Sequence, residues 1–424
     1  NYPSYLAIDL DAALNAWFPE GIPQPVQTWG TGNPDILPSQ FNPTGPNTNW
    51  SVLQSGEVYE DVLAGYVMAN LNSEVFGIPL TGNVGVRVVQ TDQSATDLAD
   101  VNGDPLRGAQ NITDDAGLVN TRYAPGILGE KYTDVLPQLN LNFGITDNSQ
   151  IRFAAAKVMS RPPINRLASN TSINISDDGE ITGSSANSPF LRPFEANQFD
   201  LSYEYYIPSG AVAFALFYKD IKHFIAIETR PVIYRELGLP AALLPEGKTV
   251  DDVFNLSSPQ NGGPSSIKGI ELALQRKLDF LPAPFNQFGI NANYTWADGK
   301  TLYHNVQNSG ENQVKAFTGL SRHSYNLALY YDTPRWGARL STAYRSRYIS
   351  AVESGSIDDD ERGYHGSTNI DFSAFYRIND YIKLNIEALN LTNLREELYS
   401  DSSDRAYNST YSGRTYILGF TAEF

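Results

Sequence analysis

The chain has 424 residues, of which 41% are hydrophobic and 12% aromatic, a composition too apolar for a disordered protein and sufficient for one large domain or two ordinary ones. Its 30 Lys and Arg residues against 47 Asp and Glu residues give a net charge of −17, which argues against nucleic-acid binding. The absence of cysteine excludes disulfides, thiolate metal sites and cysteine nucleophiles. No apolar run approaches the roughly 18 residues of a membrane-spanning helix.

The first segment of the chain, residues 1–57, lacks the pattern of a strand. Leu6–Phe18 has a weak helical periodicity, and Pro19–Asn49 is rich in Pro, Gly, Asn and Gln. We therefore expect helix and coil in this segment.

From Val58 onward, apolar and polar residues alternate in segments of about ten residues, the period of a β-strand with two different faces. In 197–207, for example, Phe199, Leu201 and Tyr203 alternate with Asp200 and Ser202. The pattern predicts thirteen strands, at 58–72, 82–92, 131–144, 150–160, 197–207, 211–226, 266–278, 287–298, 321–332, 335–349, 367–378, 381–391 and 412–424.

The connections between these segments are alternately short and long. The short ones are expected at Gly77–Asn83, Thr146–Ser149, Pro208–Gly210, Phe280–Asn286, Asp332–Arg335 and Asn379–Asp380. The long ones are expected at 93–130, 161–196, 227–265, 299–320, 350–366 and 392–411. A transmembrane, antiparallel, up-and-down β-barrel has this asymmetry, with short turns on one side of the membrane and long loops on the other. The predicted fold class is therefore all-β, an outer-membrane type of barrel.

The two faces of the predicted strands differ as those of such a barrel do. One face is apolar and aromatic near the strand ends, as a lipid interface requires: Tyr203, Tyr205, Tyr218, Trp296, Tyr331, Trp336, Tyr376 and Tyr416. The other face would line a polar lumen and carries Asn140, Asn142, Glu204, Glu271, Asn293, Arg339, Arg345, Asp371 and Asn385. The last segment alternates up to the terminal Phe424, as the final strand of bacterial outer-membrane barrels does.

Several stretches resemble the C-terminal part of the barrel of a TonB-dependent outer-membrane receptor or transporter, of the Caulobacter and Xanthomonas type. They are AGYVMANL (64–71), GNVGVRVVQTD (82–92), FAAAKVMSRPPINRLA (153–168), LRPFEANQFDLSYEYY (191–206), ALFYKDIKHFI (215–225), IKGIELALQ (267–275), NIEALNLTN (385–393) and GRTYILGFTAEF (413–424). The resemblance covers nearly everything after Val58, and it rests on the order and spacing of the stretches together.

The resemblance implies a barrel of 22 strands, closed by an N-terminal plug that carries the TonB-contacting segment. This chain would hold about the last thirteen strands of that barrel and no plug. Residues 1–57 would be part of an extracellular loop, and 58–424 the C-terminal part of the barrel. The expected partners are outer-membrane lipid and lipopolysaccharide, TonB through the plug, the N-terminal half of the barrel as a separate chain, and a surface lipoprotein. The expected location is the outer membrane of a Gram-negative bacterium.

The resemblance also implies active uptake of a scarce nutrient, with a carbohydrate or glycan fragment as the first candidate. A ferric siderophore is the alternative within the class, because the loop arginines Arg107, Arg122 and Arg230 suit a negative chelate. A passive porin-like channel and a soluble all-β glycan-binding protein are the alternatives outside it. The soluble protein is disfavoured because repeated exposed apolar faces aggregate in water.

Enzyme chemistry has little support in the sequence, so we expect a transporter. The four histidines, His223, His304, His323 and His365, are scattered without the spacing of a metal site. The acidic runs at 177–180 and 358–361 could hold calcium, but they are expected to be solvated loop charge. Asp100, Asn102 and Asp104 form a weak calcium candidate, because oxygen ligands two residues apart surround a glycine, but the closing Glu is missing. No other cofactor is expected.

Two sets of residues are candidates for ligand contact. Trp17, Trp29 and Trp50 lie in the predicted extracellular segment, where an indole ring can stack on a sugar or an aromatic chelator. Packing within the loop is the alternative role for them. Arg339, Arg345 and Arg347 have the parity of the lumen face, where they would meet the plug or an anionic ligand.

Overall fold

The computed structural model describes residues 10–17, 19, 57–100, 110–111, 123–168, 172–175, 181–184, 187–237, 247–304, 311–352 and 360–422. One helix, α1 (Leu10–Trp17), precedes the strands. None of the helices among these residues is long and apolar enough to cross a membrane. The strands in chain order are β1 (Val58–Val75), β2 (Ile78–Asp100), β3 (Gln110–Asn111), β4 (Tyr123–Thr146), β5 (Ser149–Ser160), β6 (Ser172–Ile175), β7 (Ile181–Ser184), β8 (Phe194–Ile207), β9 (Gly210–Lys222), β10 (Ile225–Ile233), β11 (Val253–Asn261), β12 (Ser265–Lys277), β13 (Phe288–Tyr303), β14 (Gln313–Ala316), β15 (His323–Asp332), β16 (Trp336–Arg345), β17 (Tyr348–Val352), β18 (Glu361–Tyr364), β19 (Ser367–Arg377), β20 (Ile382–Leu389), β21 (Arg395–Ser400), β22 (Arg405–Tyr411) and β23 (Thr415–Ala422).

The main sheet has the order β1-β2-β4-β5-β8-β9-β12-β13-β15-β16-β19-β20-β23, and β3 and β14 pair with its members. These are the thirteen predicted strands in their predicted order, and the prediction of an antiparallel, up-and-down sheet is confirmed. Each strand pairs with its neighbours along the chain, as antiparallel strands joined by simple connections do. Within the described residues β1 and β23 form the two edges, so the barrel is not closed.

Some predicted boundaries are wrong. β2 continues to Asp100 and β4 begins at Tyr123, inside the expected loop 93–130. The reason is that residues 91–97 (TDQSATD) place polar side chains on both faces of the strand, so the segment lacks the apolar and polar alternation on which the prediction depended. The predicted strand 335–349 is divided, because β16 ends at Arg345 and β17 belongs to another sheet.

The first hairpin also differs from the expected turn at Gly77–Asn83. Its turn is Phe76–Gly77, and β2 begins at Ile78. Both turn residues have positive φ, 53° for Phe76 and 79° for Gly77, which is the backbone of a two-residue hairpin turn whose twist matches the strands. Glycine adopts this conformation without a steric cost, which explains its place at the tight end of the hairpin.

The pairing register confirms the predicted division into two faces. Leu201 lies opposite Leu216, which lies opposite Ile270, which lies opposite Trp296. Partners directly opposite each other share a face, so an apolar row crosses four strands. All eight predicted interface aromatics have the parity of this apolar face, and Tyr203, Trp336 and Tyr416 on it are 42%, 43% and 69% exposed.

The opposite, polar face carries ladders of side-chain hydrogen bonds between neighbouring strands. Asn140 donates to Asn83 at 2.9 Å, and Asn326 donates to Asn293 at 3.0 Å. All nine residues predicted for a polar lumen have this parity in the register. An apolar exterior and a polar interior are the reverse of a soluble barrel and fit an outer-membrane one.

Candidate ligand-binding surface

The long connections contain two small sheets of their own. One has the order β10-β11-β7-β6 and the other β17-β18-β21-β22. The sequence did not predict these two sheets, because their strands are short and interrupted by the turn residues that mark loops. The residues of these two sheets are therefore held in place by backbone pairing with neighbouring strands.

The segment 187–193 folds back onto the polar face of β2 and β4. Gln93 anchors it, since its amide donates to the carbonyl oxygens of Pro189 and Leu191 at 2.9 and 2.8 Å. The Tyr132 hydroxyl donates to Gln93 Oε1 at 2.9 Å. Gln93 and Leu191 are each 1% exposed, so the polar atoms of this contact are hydrogen-bonded to each other and not to water.

A second contact joins three long connections through charges, and we call Lys315, Asp360 and Glu361 the loop charge cluster. Lys315 Nζ lies 2.6 Å from Asp360 Oδ2 and 2.9 Å from Glu361 Oε2. The three side chains are only 10–11% exposed. The backbone N–H of Ser402 donates to Asp360 Oδ1 at 2.8 Å, which brings in the connection before β23. The cluster therefore ties β14, β18 and the 401–404 turn together.

The pKa values of the cluster follow from burial and hydrogen bonding. Burial by itself raises the pKa of Asp360, but the hydrogen bonds from Lys315 and from the Ser402 backbone hold that pKa below its usual value. Burial by itself lowers the pKa of Lys315, but its bonds to Asp360 and Glu361 hold that pKa above its usual value. Asp360 and Lys315 are thus both charged around neutral pH.

Arg347, one of the predicted ligand residues, lies beside this cluster and beyond the end of β16. Its guanidinium stacks over the Tyr399 ring at 3.8 Å and lies 2.8 Å from Asp404 Oδ1. Tyr399 is fully buried, and burial raises the pKa of its hydroxyl. Arg347 thus lies between β16 and β17 and packs against the loop sheet, rather than within the barrel strand that the sequence predicted.

Arg345 is held in a similar way at the end of β16. It stacks over Tyr348 at 3.6 Å, and Tyr348 in turn stacks on Tyr364 at 5.2 Å. Its Nε donates to Ser321 Oγ at 3.0 Å. Arg345 and Arg347 are therefore brought together at the long-connection end, where both support loop packing.

Arg339 lies apart from them, near the short turns. Six residues of strand, roughly 20 Å, separate it from Arg345. It lines a groove of about 350 Å³ on the polar face, with Tyr330, Phe375 and Glu387. Across the part of the chain that the structure describes, no hydrogen bond or ion pair reaches its guanidinium. The guanidinium of Arg339 is therefore accessible on the polar face of the sheet.

A larger cavity, of about 700 Å³, lies between β1, β2, β4 and β5. Its polar lining includes Arg87, Gln138 and Arg161, and Tyr66 and Met68 supply apolar surface. Arg161 is 3.4 Å from Glu60, whereas Arg87 is exposed and has no such partner among the described residues. This cavity was not predicted from the sequence, in which the polar parity of Arg87 is the signal that could have pointed to it.

The remaining predicted residues are less informative. Trp17 ends α1 and is 70% exposed, so its indole ring is accessible. Trp29, Trp50, Asn102 and Asp104 lie outside the described residues, and Asp100 ends β2. The calcium site and the tryptophan contacts stay predictions. In the described ranges no three His, Asp or Glu side chains group as metal ligands.

The expectation that the 358–361 acidic run is solvated is wrong for the part that the structure describes. Asp360 and Glu361 are only 7% and 8% exposed. The sequence could not show this, because the buried cation that compensates them, Lys315, lies about 45 residues earlier in the chain. Three histidines also have specific partners: His304 Nδ1 is 2.9 Å from Glu228 Oε1, His323 Nδ1 is 2.9 Å from the Tyr294 hydroxyl, and His365 Nε2 is 3.7 Å from Asp404 Oδ1.

The chain belongs to the TonB dependent receptor-like, beta-barrel family. The model of that family matches residues 5–394. This confirms the resemblance seen in the sequence and the class of the fold. No curated protein sequence matches the chain.

Solved structures with the same fold include three receptors. The ferric-catecholate import receptor Fiu from E. coli K12 is 17% identical, with a TM-score of 0.55 over 90% of this chain and 48% of Fiu. The siderophore receptor PiuA from Acinetobacter baumannii is 15% identical, with a TM-score of 0.55 over 87% of this chain and 44% of PiuA. The ferric enterobactin receptor PfeA from Pseudomonas aeruginosa, in complex with BCV-L6, is 15% identical, with a TM-score of 0.53 over 92% and 58%. The chain thus spans about half the length of Fiu and PiuA.

Proposed function

We propose that this chain forms part of the barrel wall and the extracellular loops of a receptor that takes up a scarce nutrient across a bacterial outer membrane with energy from TonB. The observation that carries the proposal is the match of the receptor family to residues 5–394, on a sheet with an apolar outer face and a polar inner one. The chain's part is to span the membrane and to present loops to the outside. The role is transport rather than catalysis.

The long connections and the polar face of the sheet have different roles. The loop charge cluster and the Gln93 contact hold the long connections in place, so that ligand-facing groups are presented in fixed positions. The polar face, with Arg339 among its groups, would contact the plug through which TonB acts. A surface lipoprotein over the loops stays a prediction.

For the ligand we propose a carbohydrate first and a ferric siderophore second. The exposed ring of Trp17 supports the carbohydrate, because an accessible indole face stacks on sugars. The 700 Å³ cavity with Arg87 supports an anionic ligand such as a ferric chelate. The solved receptors of the same fold are described as ferric-catecholate, ferric enterobactin and siderophore receptors, which adds support to the second candidate.

Energy dependence separates this function from a passive channel. Cells that carry the intact receptor should accumulate labelled ligand only while the proton-motive force is maintained and TonB is present. A porin-like channel would admit the ligand after either is removed, and it would conduct ions in a planar bilayer without any partner. Uptake that persists after dissipation of the proton-motive force would overturn the proposal.

Binding measurements on two variants separate the ligand classes. W17A should weaken oligosaccharide binding several-fold, because the sugar loses the indole face on which it stacks. R87Q should weaken the ferric catecholate by about tenfold, because a charge-assisted contact is lost. Arg377→Gln, an exposed arginine near the short turns, is the control and should change neither affinity. If a variant does not change the affinity for the ligand class that it targets, that class is excluded from the site.

A further inference from the structure

Two carboxyl groups meet where the segment 187–193 joins the main sheet. Asp134 lies on the polar face of β4, and Glu195 is the second residue of β8, which follows that segment. Their side chains are within hydrogen-bonding distance of each other, and we call them the carboxyl pair. Each is the thirteenth residue of its strand from the short-turn end. Roughly 9–11 tilted residues cross the hydrocarbon core, so the carboxyl pair lies outside it, among the long connections.

Backbone pairing does not fix this contact. The pairing of β4 with β5 ends where Gln138 lies opposite Ala156, although both strands continue toward the long connections. Beyond that point side chains connect them: Arg192 Nε donates to Glu130 of β4 at 3.0 Å, and the two members of the carboxyl pair touch. The docking of the segment 187–193 and of this end of β8 on β4 therefore depends on charged groups.

The carboxyl pair lacks the cations that two charged members would need. Lys157 Nζ lies 2.9 Å from Glu195 Oε2, whereas Arg192 is bound to Glu130. Asp134 is 8% exposed, and within the described part of the chain no hydrogen-bond donor reaches its buried Oδ2. Two carboxylates in contact repel each other when both are charged, and a buried oxygen without a partner is costly. A proton between the two side chains removes both costs.

The pKa values of the carboxyl pair agree with this arrangement. Burial, together with the hydrogen bond and the charge of Glu195, raises the pKa of Asp134 above its usual value. Burial by itself raises the pKa of Glu195, but the hydrogen bonds to Lys157 and Asp134 hold that pKa below its usual value. β2 presents the uncharged Val89 opposite Asp134. The other titratable and charged groups around the carboxyl pair are Tyr132 and Glu130 of β4, Arg192 of the segment, Lys222 at the end of β9 and the adjoining His223.

We propose that a proton shared between Asp134 and Glu195 holds the segment 187–193 and the adjoining end of β8 on β4, so that this docking is tight at acidic pH and loosens as pH rises. The pKa of Asp134 is higher in the folded protein, so its contribution is complete below the pKa of an unfolded carboxyl, near 4, and disappears as pH rises through the folded value. Loosening uncovers Gln93 and the long-connection end of the 700 Å³ cavity, which Val89 lines on the same face of β2. The inference goes beyond the proposed function and does not depend on which ligand is bound.

The test measures hydrogen exchange of 187–193 in the intact receptor in detergent at about pH 5 and about pH 8, with the intrinsic exchange rates divided out. Protection in the wild type should be several-fold lower at the higher pH, because Asp134 then loses the shared proton. Asp134→Asn should keep the segment protected at both pH values, because its amide donates to Glu195 without titrating. Glu195→Gln is the second variant and should also abolish the pH dependence, because its amide donates to Asp134.

Two control variants identify the group that titrates. Glu130→Gln removes the ion pair with Arg192 and leaves the carboxyl pair in place, so it should lower protection at both pH values and keep the difference between them. His223→Asn removes the nearby imidazole, the type of side chain that most often titrates in this pH range, and asparagine tolerates the positive φ of 58° at this position. It should leave the pH dependence unchanged. The proposal is overturned if wild-type protection is equal at both pH values, if D134N and E195Q keep the pH dependence, or if H223N abolishes it.

The same samples distinguish failure of this inference from failure of the proposed function. A receptor that shows energised uptake, but whose segment 187–193 is equally protected at both pH values, overturns the inference alone. A receptor whose segment responds to pH through Asp134 but which transports neither ligand supports the inference and overturns the proposed function. A gel assay of heat-dependent mobility shows that each variant is folded before it is compared.

Discussion

Burial determines what the acidic residues of the long connections do. Asp360 and Glu361 would be ordinary solvated charges if Lys315 were not packed against them with 10% exposure. Removing two carboxylates and an ammonium group from water is costly, and only their mutual attraction and hydrogen bonds offset that cost. Each member of the loop charge cluster therefore depends on the others.

Lys315→Met should destabilise the loops by about 3–5 kcal/mol, because it leaves the buried Asp360 without a cation and Glu361 with only Arg347, whose guanidinium is 3.9 Å away. The change is measured as the free energy of opening of residues 313–316 and 360–364 by hydrogen exchange in the intact receptor. Lys131→Met is the control: its ion pair with Asp92 is 59% and 53% exposed, so about 1 kcal/mol or less should be lost. Equal effects of the two variants would contradict the importance of burial.

The same cluster predicts how loop stability depends on pH. The pKa of Asp360 is lower in the folded protein, so its contribution is present above the pKa of the unfolded carboxyl, near 4, and disappears as pH falls through the lower folded value. The pKa of Lys315 is higher in the folded protein, so its contribution is present below about 10.4 and disappears as pH rises beyond the folded value.

Protection of the Ser402 amide, which donates to Asp360, should therefore be constant between about pH 5 and 9 once the intrinsic exchange rate is divided out. It should fall below about pH 4. Asp360→Asn should abolish the acid-dependent step, because the amide side chain does not titrate. A wild-type profile that stays flat down to pH 2 would contradict the assignment.

At the scale of the strand, parity decides whether a charge is tolerated. Leu216→Arg places a charge on the apolar face of β9 and should cost about 2–4 kcal/mol of folding free energy in a bilayer. Ala215→Arg is the adjacent control: Ala215 lies opposite Glu271 on the polar face, so the new cation gains a partner. Folding into phospholipid vesicles, followed by urea titration, measures both variants. A similar loss for the two would mean that the faces are assigned incorrectly.

The buried amide of Gln93 joins the segment 187–193 to β2, whereas Ser188 and Arg192 bond to other parts of the chain. Gln93→Ala leaves the Pro189 and Leu191 carbonyl oxygens and the Tyr132 hydroxyl without their partner, which should cost about 1–3 kcal/mol of local stability. Hydrogen exchange of 187–193 measures the change. Gln90→Ala, an exposed position of the same strand, is the comparison and should have no effect. If 187–193 stays protected in Q93A, other contacts hold the segment.

At the scale of the whole molecule, the alternation of short turns and long connections fixes an orientation in the membrane. An epitope tag inserted at Ser402–Ser403 should react with antibody on intact cells, because the long connections face outward. A tag inserted at Asp147–Asn148, the short turn between β4 and β5, should react only after the outer membrane is permeabilised. Surface reactivity of the second tag on intact cells would reverse the orientation.

The fold of the main sheet follows from local patterns in the sequence. Every one of the thirteen strands was predictable, because a strand exposed to lipid on one face and to polar groups on the other repeats with a period of two residues. Local turn chemistry and the alternating lengths of the connections were enough to order the strands. The parity of Arg339 and the interface aromatics followed from the same period.

The loop architecture was decided only by the tertiary structure. The burial of Asp360 depends on Lys315 from another connection, and the polar Gln93 is buried because 187–193 folds over it. Arg347 has the parity of a strand residue, but it lies beyond the end of β16, where it stacks on Tyr399 of the loop sheet. A repeating local pattern cannot encode such pairings, because their free energy comes from groups that are far apart in sequence and meet only after the strands have assembled.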